Sequence, residues 1–203
     1  MNLIGNCCIS NCLEREYGLP HSNPFTWIDF DFNSMYHCIT NWNHINWCKV
    51  SLEKHKHPYQ SAKDIYWLVV DNKIKLRYVH YLFDPHAIEP ITNNVDVAYC
   101  KIWEYIISQY TKRVCRMLHN DEPPTFIVEW GHLDYDYANW IKLQNSEFTY
   151  KMVVISYDAS LETSKHNILL IHDPHKHGND PKGCPPSWFA HKYKDQIYKF
   201  ITK

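Results

Sequence analysis

Hydrophobic residues follow two different periods in the second half of the chain. Short, nearly continuous apolar runs occupy residues 123–130, 150–156 and 166–173, as expected of strands buried in a sheet. At 134–144 and 187–201, apolar residues recur every three or four positions, which is typical of helices with one buried face. Strands and helices therefore alternate along this half. The alternation predicts a largely parallel or mixed sheet flanked by helices.

The patterns of the first half are shorter and are separated by polar loops. Asp71 and Asn72 form a polar turn between two strand-like runs, which predicts a β-hairpin. Gly18 marks the end of a helix, and Asn33 or Ser34 is the expected N-cap of the next one. The predicted elements are a strand over 2–5, helices over 7–17, 32–47 and 95–119, and hairpin strands over 64–70 and 73–83, with a polar loop at 54–60.

Length and composition fit one globular domain. The chain has 203 residues, of which 45% are apolar, and this is enough for a sizeable core. No internal repeat, low-complexity tract or linker divides the sequence. We therefore predict a single α/β domain over residues 1–203.

Charge and glycine content exclude several classes of function. The net charge of −1 gives no global attraction for nucleic acid, and no apolar stretch approaches the roughly 18 residues needed to cross a bilayer. The five glycines form no phosphate-binding loop, and we predict no cofactor. Without an export signal, the eight cysteines are expected to be reduced and the protein cytoplasmic. Abundant Asn, Lys, Ile and Tyr indicate an AT-rich coding genome, as in some bacteria and large DNA viruses; for a virus the expected location is the host cytoplasm.

Three cysteines near the start, Cys7, Cys8 and Cys12, allow several kinds of chemistry. A reducing compartment disfavours a disulfide. A nucleophile is favoured at a helix start, where free N–H groups and the macrodipole stabilise a thiolate and can hold an oxyanion. Packing as small buried residues is the simplest alternative. A zinc site is a further alternative, and its second half would come from a later loop that otherwise reads as solvated: His172, His175, His177 and Cys184.

Two other patterns point to different ligands. Arg113 and Arg116 lie one turn apart on a predicted helix, where they could grip a phosphate or carboxylate, or form a surface ion pair. The Asp-x-Asp triplets at 29–31 and 134–136 resemble the metal-nucleotide motif of glycosyltransferases, although Asp is also an ordinary helix cap. A glycan-related or nucleotide-sugar transferase on a Rossmann-like sheet is therefore an alternative function.

The opening segment over 4–28, IGNCCISNCLEREYGLPHSNPFTWI, carries a family resemblance. It resembles the start of an uncharacterised family classed as papain-like cysteine peptidases, which reads Leu-Gly-x-x-Cys, then an apolar stretch with Leu-Arg, then Gly-Leu, and then Pro-Phe-Asp-Trp. The pattern selects Cys8 over Cys7. The matching positions, with unbroken spacing, are Gly5, Cys8, Leu13, Gly18, Leu19, Pro24, Phe25 and Trp27.

The resemblance extends more loosely to about residue 156. A family strand ending in His-Asp-Phe corresponds to the run with His80, and a helix with Lys-Tyr-x-x-Arg-x-x-Arg corresponds to Tyr110, Arg113 and Arg116. The chain departs from the family at three polar positions. Where the family has Asp, Asp and Arg, this sequence has Thr26, Tyr81 and Glu129.

The resemblance implies a cysteine-dependent hydrolase or acyl transferase with Cys8 as the nucleophile. We take His80 as the general base, with His172 beside Asp173 as the second choice. Spacing does not distinguish the group that orients the base; we take Asp84 over the alternatives Glu129 and Asp158. No metal is assigned, and the predicted substrate-binding residues are Asn6, Trp27, Tyr110, Arg113 and Arg116.

The resemblance also implies an alternative fold. Papain-like folds are α+β and pair a helical lobe with an antiparallel, barrel-like sheet, whereas the periodicity of this chain favours a parallel one. The expected partner is a peptide, acyl or glycan substrate, with no nucleic acid and no membrane. A non-catalytic binding protein, in which Cys8 is simply buried, is the third functional hypothesis.

Overall fold

A computed structural model describes residues 2–5, 7–18, 31–56, 64–77, 95–119, 123–131, 135–175 and 186–203. The helices and strands of these ranges are, in chain order, β1 (Asn2–Gly5), α1 (Cys7–Glu16), α2 (Phe32–Asn41), β2 (Val50–Lys56), β3 (Asp64–Val70), β4 (Ile74–Arg77), α3 (Val95–His119), β5 (Pro124–Trp130), α4 (Tyr137–Gln144), β6 (Lys151–Ser156), β7 (Ile168–His172) and α5 (Pro186–Ile201).

The strands form two sheets. β1, β5, β6 and β7 are neighbours in that order and all run parallel, with register pairs such as Gly5 with Ile127 and Ile155 with Ile171. β2, β3 and β4 form a separate antiparallel sheet. The predicted α/β class is confirmed, and the strands of the described ranges do not form the antiparallel barrel of the α+β alternative.

Strand β5 shows how the parallel sheet buries both faces. Phe126 and Val128 point into a core shared with α2, α3, α4 and the antiparallel sheet. Ile127 points the other way, because successive side chains of a strand alternate. It joins a second core that also contains Leu13 of α1 and Phe189 of α5. The face covered by α1 and α5 is called the α1/α5 face below.

The antiparallel hairpin is confirmed at its predicted turn. Asp71 and Asn72 have φ values of 50° and 60°, the left-handed pair that a tight hairpin turn requires and that Asp and Asn tolerate. The outer strand β2 was not predicted, because part of it had been assigned to a polar loop. Its Ser51 and Glu53 are exposed, whereas Val50 and Leu52 pack against the core, so the strand is held by backbone pairing with β3 and by the partial burial of one face.

Helix α2 begins at the predicted residue, Phe32, but it has a different N-cap and ends sooner than predicted. Its N-cap is Asp31, whose carboxylate accepts from the Ser34 N–H at 2.8 Å, whereas Ser34 Oγ accepts from the Lys75 N–H of β4. The predicted caps Asn33 and Ser34 are therefore wrong. The helix gives way at Asn41 to a 3-10 turn, because the Asn41 side chain bonds to neighbours in its own last turn.

Among the helices of the described ranges, none combines the length and the apolar character needed to cross a bilayer.

Candidate functional site

The carboxyl edge of the parallel sheet is where the candidate site lies. The four strands end at Gly5, Trp130, Ser156 and His172, and parallel strands bring these ends to one edge. Open α/β sheets bind their ligands outside this edge, because the loops and helix starts that follow the strands converge there.

The turn from β1 into α1 places Cys8 at this edge. β1 ends at Gly5 and α1 begins at Cys7, so the backbone of Cys8 lies in the first turn of the helix. The N–H groups of a first turn have no acceptor within the helix. Only glycine fits at position 5, because a Cβ there would lie 1.6 Å from the Ile127 carbonyl oxygen. The glycine of the Gly-x-x-Cys pattern therefore lets β1 run closely beside β5 just before the cysteine.

Two buried carboxylates lie on the α1/α5 face near the same edge. Glu129 follows Ile127 by two residues in β5, and Asp173 follows Ile171 by two residues at the end of β7. Alternation along the strands therefore puts both carboxylates on the α1/α5 face. Glu129 is 7% exposed and Asp173 is 1% exposed. Such buried acids need polar partners.

Asp173 has four such partners, which use both of its oxygens. Oδ1 accepts the backbone N–H of His175 at 2.9 Å and lies 2.8 Å from His175 Nδ1. Oδ2 accepts from Lys192 Nζ at 2.8 Å and from the Tyr193 hydroxyl. The carboxylate thus joins the end of β7 to the middle of α5, and it fixes the orientation of the His175 ring.

These contacts decide the ionisation of Asp173. Burial alone would raise the pKa of its carboxyl group, but the hydrogen bonds from Lys192, Tyr193 and His175 outweigh burial and bring the pKa to about 2. The same contact with Asp173 raises the pKa of Lys192. At neutral pH the pair is therefore a carboxylate and an ammonium.

Trp188 packs beside the groups that surround Asp173. Its ring meets the His175 ring edge to face at a centroid distance of 5.0 Å, and Lys192 Nζ lies 4.4 Å from its centroid. The His175 side chain is 42% exposed. With Nδ1 directed to Asp173, Nε2 is the ring nitrogen that can accept a proton. The arrangement is that of a general base held by a buried acid.

The second choice of base, His172 beside Asp173, needs a correction. Asp173 pairs with His175 instead, because His172 is on strand β7 one residue before Asp173 and points to the opposite side. His172 is exposed and its Nδ1 lies 3.1 Å from the Asp158 carbonyl oxygen. The carboxylate of Asp158 is occupied by the Ser160 N–H and hydroxyl, which lower its pKa.

Several predicted site residues lie outside the described residues. These are Asn6, Trp27, His80 and Asp84, and their roles stay predictions. His177 and Cys184 of the zinc alternative also lie outside them. Within the ranges that the structure describes, no three His, Cys, Asp or Glu side chains are grouped so as to hold a metal ion.

The α3 residues of the prediction lie elsewhere in the fold. Tyr110 is buried on the face opposite to α1 and α5, and its hydroxyl donates to the Trp47 carbonyl oxygen at 2.9 Å. Arg113 is half-buried and Arg116 is exposed, with its Nε donating to the Lys112 carbonyl oxygen. α3 ends just before β5 begins, so both arginines are toward the amino edge of the sheet. The structure does not bring them to Cys8, and their binding role stays a prediction.

The last aspartate of each Asp-x-Asp triplet has a structural use, and the first aspartates lie outside the described residues. Asp31 caps α2, and Asp136 caps α4 by accepting the Asn139 N–H at 2.8 Å. The last Asp of each triplet therefore satisfies a helix start. This use accounts for both aspartates without a metal or a nucleotide.

His175 is the functional candidate that the sequence interpretation missed as a base. The sequence had offered it only as a metal ligand in a loop. A local signal existed in Asp173-Pro-His175, because an Asp side chain commonly accepts the N–H two residues ahead of it. That turn also brings the imidazole back to the same carboxylate.

The chain was compared with known protein families and with curated proteins. No family model matches it, and no curated protein matches it significantly.

Proposed function

We propose that this protein is a cysteine-dependent hydrolase or acyl transferase in which Cys8 is the nucleophile and His175, held by Asp173, is the general base. One observation carries the proposal: the first turn of α1, which follows the outer strand β1, and the Asp173–His175 pair, which follows the outer strand β7, both lie at the carboxyl edge of the parallel sheet and on its α1/α5 face. The helices that carry and support them, α1 and α5, pack together in one core.

The proposed reaction follows from the groups at this edge. His175 Nε2 takes the thiol proton of Cys8 as the sulfur attacks an acyl carbonyl carbon, and backbone N–H groups of the first turn of α1 hold the oxyanion. The leaving group departs with the proton from His175, leaving a thioester on Cys8. Water or an acceptor hydroxyl or amine then attacks the thioester, gives its proton to His175 and releases the thiolate.

The state of Asp173 supports this role for His175. A carboxylate with a pKa of about 2 is ionised at neutral pH, so it can accept a hydrogen bond from Nδ1–H, which makes Nε2 the ring nitrogen that faces away from Asp173. It also stabilises the imidazolium that forms when the base takes up a proton. Lys192 and Tyr193 keep the carboxylate from rotating away.

Chemical labelling tests the nucleophile. The protein is alkylated with iodoacetamide at neutral pH, and the rate at each cysteine is measured by peptide mass spectrometry. We expect Cys8 to react faster than Cys7, Cys12 and Cys38. Cys38 is the internal reference, because burial raises the pKa of its thiol and keeps it protonated. Equal labelling of Cys7 and Cys8, or the absence of labelling at both, contradicts the proposal and favours a non-catalytic binding protein.

Three histidine variants test the base. His175→Ala should slow the alkylation of Cys8 by about tenfold or more, because the thiol loses the base that accepts its proton. His172→Ala is the matched control three residues away and should leave the rate unchanged, since its ring contacts only the backbone of Asp158 among the contacts described. If His80→Ala slows the alkylation of Cys8 and His175→Ala does not, the base is His80 instead.

A reactive thiol also bears on location. We propose the cytoplasm, where glutathione and thioredoxin keep cysteines reduced. Within the described part of the chain, Cys38, Cys48 and Cys115 are free thiols. Oxidation of Cys8 by a mild disulfide reagent should abolish its alkylation, and reduction should restore it.

A further inference from the structure

A pocket of about 430 Å³ opens at the amino edge of the parallel sheet, opposite to the edge that holds Cys8. Its walls are the end of α2 with the 3-10 turn at Trp42–His44, the segment 147–150 that leads into β6, and the segment 165–167 that leads into β7. The volume lies in the range of pockets that bind small molecules. This pocket is called the amino-edge pocket below.

Hydrogen bonds between its walls hold the amino-edge pocket in shape. Asn167 Nδ2 donates to the carbonyl oxygens of Phe148 at 2.8 Å and Tyr150 at 3.1 Å, which ties the β7 side to the β6 side. Lys165 Nζ donates to the Ser146 carbonyl oxygen at 2.7 Å. The Tyr150 hydroxyl donates to Asn43 Oδ1 at 3.2 Å and so reaches the third wall. A cavity fixed in this way loses little conformational entropy when a ligand enters.

The aromatic residues of the pocket give it an apolar part. Trp42, Phe148 and Tyr150 line it, and each packs against the core while staying partly exposed. The rings of Trp42 and Tyr150 are tilted by 60° with their centroids 6.2 Å apart. Two tilted rings cannot sandwich a flat nucleobase between parallel faces. They suit a ring that presents C–H groups in more than one direction.

The polar residues of the pocket are close to neutral in sum. Lys165 and Glu147 carry opposite charges, and the Lys165 ammonium is engaged with the Ser146 carbonyl and lies 5.3 Å from the Phe148 ring centroid. The pocket therefore has no cluster of cations for a phosphate or a carboxylate. Asn43, His44 and His166 are exposed at its rim and offer amide and imidazole groups that both donate and accept hydrogen bonds.

We propose that the amino-edge pocket binds a neutral polyhydroxylated ring, that is, an uncharged hexose-type sugar. The apolar C–H face of the sugar packs against Trp42 and Tyr150, and its hydroxyl groups bond to the amide and imidazole groups of the rim. The site is separate from Cys8 and His175. This inference does not depend on the proposed cysteine chemistry.

Nuclear magnetic resonance of the ¹⁵N-labelled protein tests this inference. The probes are glucose, galactose, mannose and N-acetylglucosamine, each added singly, and the signals followed are the Trp42 indole N–H and the Asn43 side-chain amide. We expect at least one sugar to shift both signals saturably, with a dissociation constant in the millimolar range that is usual for single rigid small ligands with few contacts.

Two variants and one control locate the binding. Asn43→Ala changes an exposed rim residue and should lower the affinity for the sugar by about fivefold or more, which is the loss expected of one hydrogen bond. Trp42→Phe should weaken it further by removing aromatic contact area. Tyr137→Phe on the exposed face of α4 is the control and should leave the affinity unchanged. Equal affinity in Asn43→Ala and the control would contradict the inference even if Trp42→Phe fails to fold.

Two comparison ligands decide between chemical classes. Adenosine and inorganic phosphate should shift neither signal at the concentrations where the sugar saturates. If none of the four sugars binds, or if adenosine or phosphate shifts the same signals as strongly as the sugar, the assignment to a neutral sugar is overturned. These outcomes leave the labelling of Cys8 unaffected.

Discussion

The carboxylate of Asp173 binds the His175 ring through Oδ1 and Nδ1, which lie 2.8 Å apart, while its other oxygen binds Lys192 and Tyr193 of α5. Asp173 ends no helix and belongs to no strand; it is the first residue after β7. A buried acid at this point connects the edge of the sheet to the helix that covers it. The same contact that stabilises the fold also orients the candidate base.

Removal of the Asp173 charge should destabilise the fold. Asp173→Asn keeps the shape of the side chain, but it leaves Lys192 beside a neutral amide and removes an acceptor oxygen in a buried site. We expect the free energy of unfolding to fall by about 2–4 kcal/mol. Urea denaturation followed by circular dichroism measures the loss. Glu162→Gln, at an exposed position, is the control and should change stability by less than about 0.5 kcal/mol; a similarly small loss in Asp173→Asn would contradict the prediction.

The Asp173 cluster should also make the fold sensitive to acid. Folding lowers the pKa of Asp173 from its ordinary 3.8 to about 2, so the unfolded chain binds this proton more tightly than the folded protein. The resulting stabilisation, about 2 kcal/mol, is complete above about pH 4 and is lost as the pH falls toward about 2. Urea midpoints for the wild type and Asp173→Asn should therefore converge over this range. Parallel curves from pH 6 to pH 2 would show that the carboxylate does not provide the stabilisation.

Substitution of Gly5 should be far more damaging than substitution of Gly18. In Gly5→Ala the new Cβ meets the Ile127 carbonyl oxygen at 1.6 Å, so β1 and β5 must separate at the entrance to α1. We expect a loss of more than about 3 kcal/mol or failure to fold. Gly18→Ala is a matched control, because its position has φ +62° but nothing within 4 Å, and about 1 kcal/mol of backbone strain is expected. Thermal unfolding of both variants measures the difference, and similar melting temperatures would disprove it.

The buried hydroxyl of Tyr110 should contribute to stability rather than to catalysis. Tyr110→Phe leaves the Trp47 carbonyl oxygen without this donor in the core. A loss of about 1–2 kcal/mol is expected, with the rate of Cys8 alkylation unchanged. Tyr137 is 60% exposed, so Tyr137→Phe should be neutral in stability. If Tyr110→Phe changes Cys8 reactivity without changing stability, the residue belongs to the site after all.

Regular elements were predictable wherever the sequence itself carries the reason. The strands β5 and β6 are short, nearly continuous apolar runs, which are typical of strands buried on both faces of a sheet. The hairpin between β3 and β4 follows from Asp71 and Asn72, which accept left-handed backbone conformations at little cost. These properties are local, so they can be predicted from the residues of the element itself.

Elements that depend on a distant partner were not predictable in the same way. β2 contains Lys54, His55 and Lys56, and it is a strand because β3 supplies backbone hydrogen bonds to it. α2 was expected to continue to residue 47, but it ends at Asn41. Ile45 and Trp47 are buried in the segment that follows the helix, so their burial does not require a helical stripe. In both cases a contact from elsewhere in the fold overrides the local pattern.

The sequence by itself determined the α/β class, the parallel character of the main sheet and the position of Cys8 at a strand-to-helix turn. Each depends on periodicity or on residues that are neighbours in the chain. Tertiary structure decided that Asp173 pairs with His175 and not with His172, and that α5 supplies Lys192 and Tyr193 to the same carboxylate. The physical reason is that burial and hydrogen bonding of a charged group are set by whatever packs against it, and here the decisive groups lie 19 and 20 residues away along the chain.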